Sequence, residues 1–101
     1  MKIPKQVNII GHPVKIVKQK KVILQGKEQG GVASFNENII YIATTGDEGK
    51  TLIHNINQEE VLLHEAIHFI DEAFHLKLTE HQIVGIARGI HVFIRDNKLR
   101  F

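Results

Sequence analysis

The sequence predicts an α+β fold in which a short antiparallel sheet is followed by two packed helices. Short runs of Val and Ile, separated by turn residues, occupy residues 6–43, whereas residues 58–96 place apolar side chains at helical spacing. The chain has 101 residues, of which 43% are hydrophobic and 24% charged. This length allows one core and leaves little room for a second, so we expect a single domain over residues 1–101.

Five short runs rich in Val and Ile predict strands. They occupy residues 7–10, 14–17, 22–24, 32–35 and 39–43. Residues 11–13 predict the turn between the first two strands, and the last two strands form a predicted hairpin. Residues 26–31 and 44–55 are polar and contain glycine, which predicts loops.

Two helices are predicted in the second half of the chain. Asn57 is a candidate N-cap for a helix over residues 58–75. Thr79 and Gln82 have the spacing of a capping box at the start of a second helix over residues 80–96. The order of strands followed by helices is typical of an α+β protein.

The second helix carries an apolar stripe and a pair of glycines. The stripe consists of Ile83, Ile86, Ala87, Ile90, Phe93 and Ile94. Gly85 and Gly89 lie four residues apart. Because glycine lowers helix stability, the pair predicts the close approach of another backbone.

Composition and charge narrow the function classes. The chain has no cysteine, so any metal must be held by histidine and carboxylate side chains. The N-terminus lacks the apolar segment of a signal peptide, and no run reaches membrane-spanning length, which predicts a cytoplasmic location. Seven lysines and no acidic residue precede Glu28. They alternate with Val and Ile without interleaved aromatic residues, which favours a solvated strand face over a nucleic-acid contact.

The most informative motif is His64-Glu65-Ala66-Ile67-His68 in the first predicted helix. Two imidazoles four residues apart project from one helix face, which is the spacing that a single metal ion needs for two nitrogen ligands. Glu65 lies beside the first histidine and can take a proton from a water molecule that the metal activates. The motif therefore predicts a zinc site with Glu65 as the general base.

Three segments carry a resemblance to a known family. They are Val61-Leu62-Leu63-His64-Glu65-Ala66-Ile67-His68-Phe69-Ile70-Asp71, then Leu78-Thr79-Glu80-His81-Gln82-Ile83, and then Ile94-Arg95-Asp96-Asn97. This pattern resembles the small phage- and prophage-encoded zincin metallopeptidases and, more distantly, the ImmA/IrrE-type and SprT-like groups. The resemblance covers residues 31–97. It implies a minimal zincin, in which a short sheet, an active-site helix and a following helix surround the metal.

The resemblance also implies particular roles. His64 and His68 would be zinc ligands, and Glu80, which matches the glutamate of the family's Leu-Ser/Thr-Glu pattern, would be the third. Residues 39–43 would be the edge strand that pairs with an extended peptide or protein substrate through main-chain hydrogen bonds.

Helix geometry leaves the third ligand open. If the first helix continues to residue 75 and the second runs back antiparallel, Glu80 begins about 10 Å above His68 at the usual helical rise. His91 would then lie nearer the metal, and it is the main rival to Glu80. His75 is a weaker rival.

Several further polar residues are candidates for supporting roles. Asp71 lies on the same helical face as the two histidines, and it is either an acceptor that orients a ligand imidazole or a solvated carboxylate. Candidate transition-state stabilisers are Tyr41, His54 and Arg88. His12 and His81 are interpreted as surface residues.

Together, these observations predict a small cytoplasmic metallopeptidase that uses Zn²⁺ and is encoded by a phage or another mobile element. One alternative is a zinc-binding regulatory or adaptor module without catalysis. A second alternative is a nucleic-acid-binding module that uses the lysine-rich first segment, whose affinity would fall steeply with salt.

Overall fold

The computed structural model describes residues 3–53 and 55–99 and confirms the α+β fold. The elements are β1 (Gln6–Ile9), β2 (His12–Gln19), β3 (Val22–Leu24), β4 (Lys27–Gln29), β5 (Gly31–Ser34), β6 (Ile39–Ala43), β7 (Thr45–Gly46), a 3₁₀ turn (Asp47–Gly49), β8 (Thr51–Leu52), α1 (Asn55–Phe74) and α2 (Glu80–Asp96). Within these described ranges, no helix is both long enough and apolar enough to cross a bilayer.

The main sheet has four strands in the order β1-β2-β6-β5. The β1–β2 and β5–β6 pairs are antiparallel, but β2 and β6 are parallel, so the expectation of a wholly antiparallel sheet was wrong. Between β2 and β6 the chain passes through β3, β4 and β5 and returns to the end of the sheet at which β2 starts. Because of this crossover, β6 runs parallel to β2.

The prediction that residues 39–43 form an edge strand is also wrong. Residues 39–43 form β6, which pairs with β2 on one side and β5 on the other, so its main-chain groups are already bonded within the sheet. The free edge on this side of the sheet belongs to β5, Gly31–Ser34. Any extended substrate that adds to the sheet here must therefore pair with β5.

Two tight turns differ from the predictions. Ile10 and Gly11, with φ of 52° and 76°, join β1 to β2, so the turn begins one residue before the predicted residues 11–13 and β2 already starts at His12. Gln25 and Gly26 form a second turn of this kind, and β3 and β4 pair antiparallel across it. The predicted loop over residues 26–31 is therefore largely strand. A two-residue turn with positive φ at both positions closes a hairpin even when the returning strand is polar. The predicted loop over residues 44–55 likewise contains the short β7–β8 pair.

The start of α1 differs from the prediction, whereas α2 agrees with it. The first helix begins at Asn55, so Asn57 lies inside its first turn and is not the N-cap. The buried Gln58 side chain donates to the carbonyl of Ile53 at 2.8 Å and ties this end of the helix to the preceding chain. At α2, Thr79 Oγ1 accepts from the backbone N–H of Gln82, whose side chain accepts from Thr79 N–H, which confirms the capping box.

Two apolar clusters hold the layers together. The first lies between the main sheet and α1, and its buried members are Ile3, Val14, Ile16, Ile40, Ile42 and Leu62. The second lies between the helices and contains Ile67, Ile83 and Ala87. The first helix thus packs against the sheet on one side and against α2 on another.

Gly31 lies where α1 and the sheet approach each other closely. A Cβ atom at this position would lie 2.6 Å from Val61 Cγ1 and 2.9 Å from the carbonyl oxygen of Tyr41. A side chain here would therefore push β5 away from the helix. By contrast, nothing in the described chain lies within 4 Å of a Cβ atom built on Gly85 or Gly89, so the close approach predicted at that pair is not present.

We expect Gly31→Ala to destabilise the protein and Gly85→Ala, the same chemical change on the open face of α2, to stabilise it. Overpacking against a backbone carbonyl costs about 1–3 kcal/mol. Replacing an unconstrained helical glycine by alanine gains about 0.5–1 kcal/mol. Urea denaturation of both variants checks this, and equal effects of the two substitutions would contradict the assigned contact.

Candidate metal centre

The imidazoles of His64 and His68 lie side by side on α1, as their four-residue spacing predicts. Their ring centroids are 5.0 Å apart. Both side chains are largely buried, at 19% and 29% exposure, but keep access to solvent. Two nitrogen donors therefore open towards the same space from successive turns of the helix.

The carboxylate of Glu80, at the start of α2, spans this histidine pair. Its Oε1 lies 2.7 Å from His64 Nε2, and its Oε2 lies 3.3 Å from His68 Nε2. Donor atoms of a tetrahedral zinc site are about 3.3 Å apart when each bond is about 2.0–2.1 Å long. The His68–Glu80 separation of 3.3 Å equals this value, whereas the His64–Glu80 separation of 2.7 Å is that of a hydrogen bond, so the carboxylate lies within reach of an ion that the two imidazoles share.

The connection between the helices explains how Glu80 reaches this position. The first helix ends at Phe74, and residues 75–79 fold back along its last turn. Asp71 holds this return: its carbonyl oxygen accepts from Leu76 N–H, and its carboxylate accepts from Leu78 N–H, both at 3.2 Å. The chain has therefore descended to the level of Asp71 before α2 starts. The 10 Å offset expected for a simple antiparallel return does not arise.

Neither rival for the third ligand joins the histidine pair. His91 is buried between the helices, where its Nε2 lies 3.1 Å from Glu59 Oε1. His75 is exposed at the end of α1 and has a φ of 52°. The cleft beside His64 and His68 is lined by Glu80 but by neither of these two residues.

Glu65 lies beside the same space but in a different environment. Its side chain is only 8% exposed, and Oε2 is 4.0 Å from His64 Nε2. The ligand atoms of His64, Glu65 and His68 all lie within 4.8 Å of one another, so this carboxylate is close enough to act at the site. Its Oε2 is farther from His64 Nε2 than Oε1 of Glu80 is.

The pKa of Glu65 is raised to about 7. Burial contributes most to the rise and repulsion from the Glu80 carboxylate contributes next, while a hydrogen bond from the backbone N–H of Ala33 opposes both. A carboxyl group with a pKa near neutrality can take up and release a proton under ordinary conditions.

A cleft of about 640 Å³ opens over these residues. Its walls come from β5, from the β3–β4 hairpin and from one face of α2, and its lining includes Leu24, Gly31, Ala33, Phe35, Val84 and Arg88. Arg88 Nε lies 3.4 Å from Glu60 Oε1 across the cleft. The histidine pair and the Glu65 and Glu80 carboxylates therefore line one open cleft.

The remaining candidates have different outcomes. Arg88 lines the cleft, whereas the Tyr41 hydroxyl is hydrogen-bonded to Glu37 and does not line it. His54 lies outside the described residues. His12 and His81 are exposed, as expected. The Asp71 carboxylate accepts from the Leu78 backbone N–H, a contact that neither predicted role includes.

Sequence reasoning missed the contribution of the edge strand. The Ala33 N–H group and the close contact at Gly31 place β5 directly against Glu65. One signal was available, because a glycine at the start of a strand often marks a close approach of another element.

Comparison with known proteins adds no assignment: no protein family, curated protein or solved structure matches this chain.

We expect Asp71→Ala to weaken zinc binding about tenfold or more, although Asp71 is not a proposed ligand. Removing its carboxylate frees the chain that places Glu80, and losing a group that orients a ligand typically costs 10- to 100-fold in metal affinity. Asp71→Asn keeps an oxygen acceptor for Leu78 N–H and should retain most of the affinity. Competition with a chromophoric zinc chelator measures both variants, and equal losses would count against the positioning role.

Because the pKa of Glu65 is raised, we expect the free energies of unfolding of the wild type and of Glu65→Gln to differ by an amount that depends on pH. Both proteins are kept metal-free by a chelator. Because the folded-state pKa of about 7 exceeds the ordinary value of 4.5, the protonated form stabilises the fold below pH 4.5, and this contribution is lost as the pH rises through 7. Glutamine carries no charge and avoids this loss.

Relative to the wild type, Glu65→Gln should therefore gain about 2–3 kcal/mol in free energy of unfolding between pH 4.5 and pH 8. Denaturant titrations at the two pH values test this. A difference that does not change with pH would show that Glu65 has an ordinary pKa.

Proposed function

We propose that this protein is a zinc-dependent metallopeptidase. The observation that carries the proposal is the convergence of His64, His68 and Glu80, from two helices, on one space beside the buried carboxylate of Glu65. Two imidazoles and one carboxylate are a common ligand set of catalytic zinc, which usually has three protein ligands and one open position.

The proposed roles follow from the donor atoms. His64 and His68 hold zinc through Nε2, and Glu80 holds it through its carboxylate. When bound, zinc supplies Lewis acidity, which lowers the pKa of water and polarises a carbonyl group. Three protein ligands would leave one position of a tetrahedral zinc ion open, as a catalytic site requires.

Glu65 is the proposed general base. Burial raises its proton affinity above that of an exposed carboxylate, which helps it to take a proton from water. The Ala33 N–H group fixes the carboxylate against β5. After accepting the proton, Glu65 can pass it to the amine that leaves when the peptide bond breaks.

The edge of β5 supports a peptide as the substrate. Ala43 N–H donates to the Gly30 carbonyl, so in this antiparallel pair residues 30, 32 and 34 bond to β6 while Gly31 and Ala33 face the open edge. The contact from Ala33 N–H to Glu65 agrees with this orientation. An extended peptide can pair with the outward groups that remain at Gly31 and Ala33.

The other sequence-based hypotheses stay predictions. A cytoplasmic location and a phage origin depend on the sequence alone. Nucleic-acid binding by the lysine-rich first segment would require a surface separate from the cleft, and no feature of the site favours it.

The zinc content of variants distinguishes the residues that bind zinc from the general base. We expect about one zinc ion per chain in the wild type and in Glu65→Gln, and loss of zinc in His68→Ala and Glu80→Ala. His81→Ala is the matched control, because His81 is the exposed neighbour of Glu80. Elemental analysis after dialysis measures the content. Zinc retained in Glu80→Ala would remove Glu80 from the ligand set.

Hydrolysis tests the reaction itself. Zinc-loaded wild type should cleave an unfolded, fluorescently labelled casein, and Glu65→Gln should lose about 10²–10⁴-fold in rate, because that is the usual contribution of a general base. A chelator should stop the reaction and added zinc should restore it. Zinc binding without cleavage of casein or of short peptides would instead support the non-catalytic alternative.

A further inference from the structure

We propose that Leu24, near the tip of the β3–β4 hairpin, selects substrates that carry an apolar side chain in the part of the cleft that this hairpin lines. The inference rests on the proposed function, since it assigns a substrate preference to the same cleft. Leu24 is 49% exposed and lines the cleft. A large apolar side chain left half-exposed at the wall of a binding groove is a ready contact for an apolar ligand group.

The hairpin turns one of its faces inward. Side chains alternate along a strand, so Val22 and Leu24 share one face while Ile23 lies on the other. Val22 is 4% exposed and anchors the inner face, whereas Ile23 is 61% exposed and does not line the cleft. Gln29, which pairs with Val22, lines the cleft from this inner face as well. The position of Leu24 in the groove therefore follows from the strand register.

The hairpin is also held in shape before any ligand arrives. Leu24 pairs with Lys27 across the two-residue turn at Gln25 and Gly26, whose φ values are 53° and 76°. Turns of this type match the natural twist of paired strands. The turn on one side of Leu24 and the buried Val22 on the other thus hold this part of the hairpin in place. Binding would therefore remove little conformational entropy from it.

The path of β5 beside α1 shows where the hairpin joins the wall of the cleft. A Cβ atom on Gly31 would meet Val61, Ala33 bonds to Glu65, and Phe35 packs against Phe69, so β5 runs beside α1 in the same direction. The hairpin joins β5 at its Gly31 end, which is two residues before Ala33, the residue that bonds to Glu65.

These features define the chemistry of the preferred substrate. The outward main-chain groups of β5 require an extended chain, and Leu24 favours an aliphatic or aromatic side chain on that chain. In folded proteins such segments are mostly buried. The preferred substrate is therefore an apolar segment of an unfolded or flexible polypeptide.

Peptide binding tests the inference without turnover. The probe is a set of fluorescein-labelled octapeptides of Gly and Ser in which a single Leu is moved through every position, and the protein is zinc-loaded Glu65→Gln. We expect one Leu position to bind on the order of tenfold more tightly than the unsubstituted peptide in fluorescence anisotropy. Adding Leu24→Ser should abolish this preference, and adding Leu24→Met should keep it.

Ile23→Ser is the matched control, because it removes the neighbouring side chain of the same hairpin from the outer face. It should leave the Leu preference unchanged. The inference is overturned if no Leu position is favoured, if Ile23→Ser acts like Leu24→Ser, or if Leu24→Ser keeps the preference. Casein cleavage by the wild type without any Leu preference would overturn this inference alone, whereas loss of zinc-dependent cleavage would overturn the proposed function.

Discussion

The hydrogen bonds that Asp71 accepts from the returning chain set the height at which α2 begins, and the proposed metal centre depends on them. Without this fold-back, an antiparallel second helix would start well above the histidine pair. With it, the Glu80 carboxylate meets both His64 and His68. The proposed ligands thus come from two helices. The short connection between the helices brings them together without supplying a ligand itself.

The sheet contributes to the same site through β5. Because Gly31 has no side chain, α1 can lie close enough for the Glu65 carboxylate to reach the strand edge. That proximity buries Glu65 and raises its pKa, and it places the outward main-chain groups of β5 beside the groove. The same packing thus raises the pKa of the proposed base and positions the strand edge that is proposed to bind the substrate.

The sequence predicted features that local spacing determines, and it missed those that depend on long-range pairing. The histidine spacing and the Thr79 capping box follow from helical periodicity, and both are present. The parallel neighbour of β6 and the edge position of β5 depend on the path of residues 20–34, whose polar strand β4 resembles a loop. Nor could periodicity show that His91 would be buried while apolar Ile90 stays 40% exposed. Which helix face is covered is decided by the partner element.

The zinc-edge X-ray absorption spectrum of protein loaded with one equivalent of zinc is the sharpest test of the proposed metal centre, since it reports the atoms around the ion. We expect two imidazole nitrogens and a carboxylate oxygen at about 2.0–2.2 Å. This pattern should persist in Glu65→Gln and change in Glu80→Ala. A spectrum with a single imidazole, or with the six oxygens of hydrated zinc, would contradict the account.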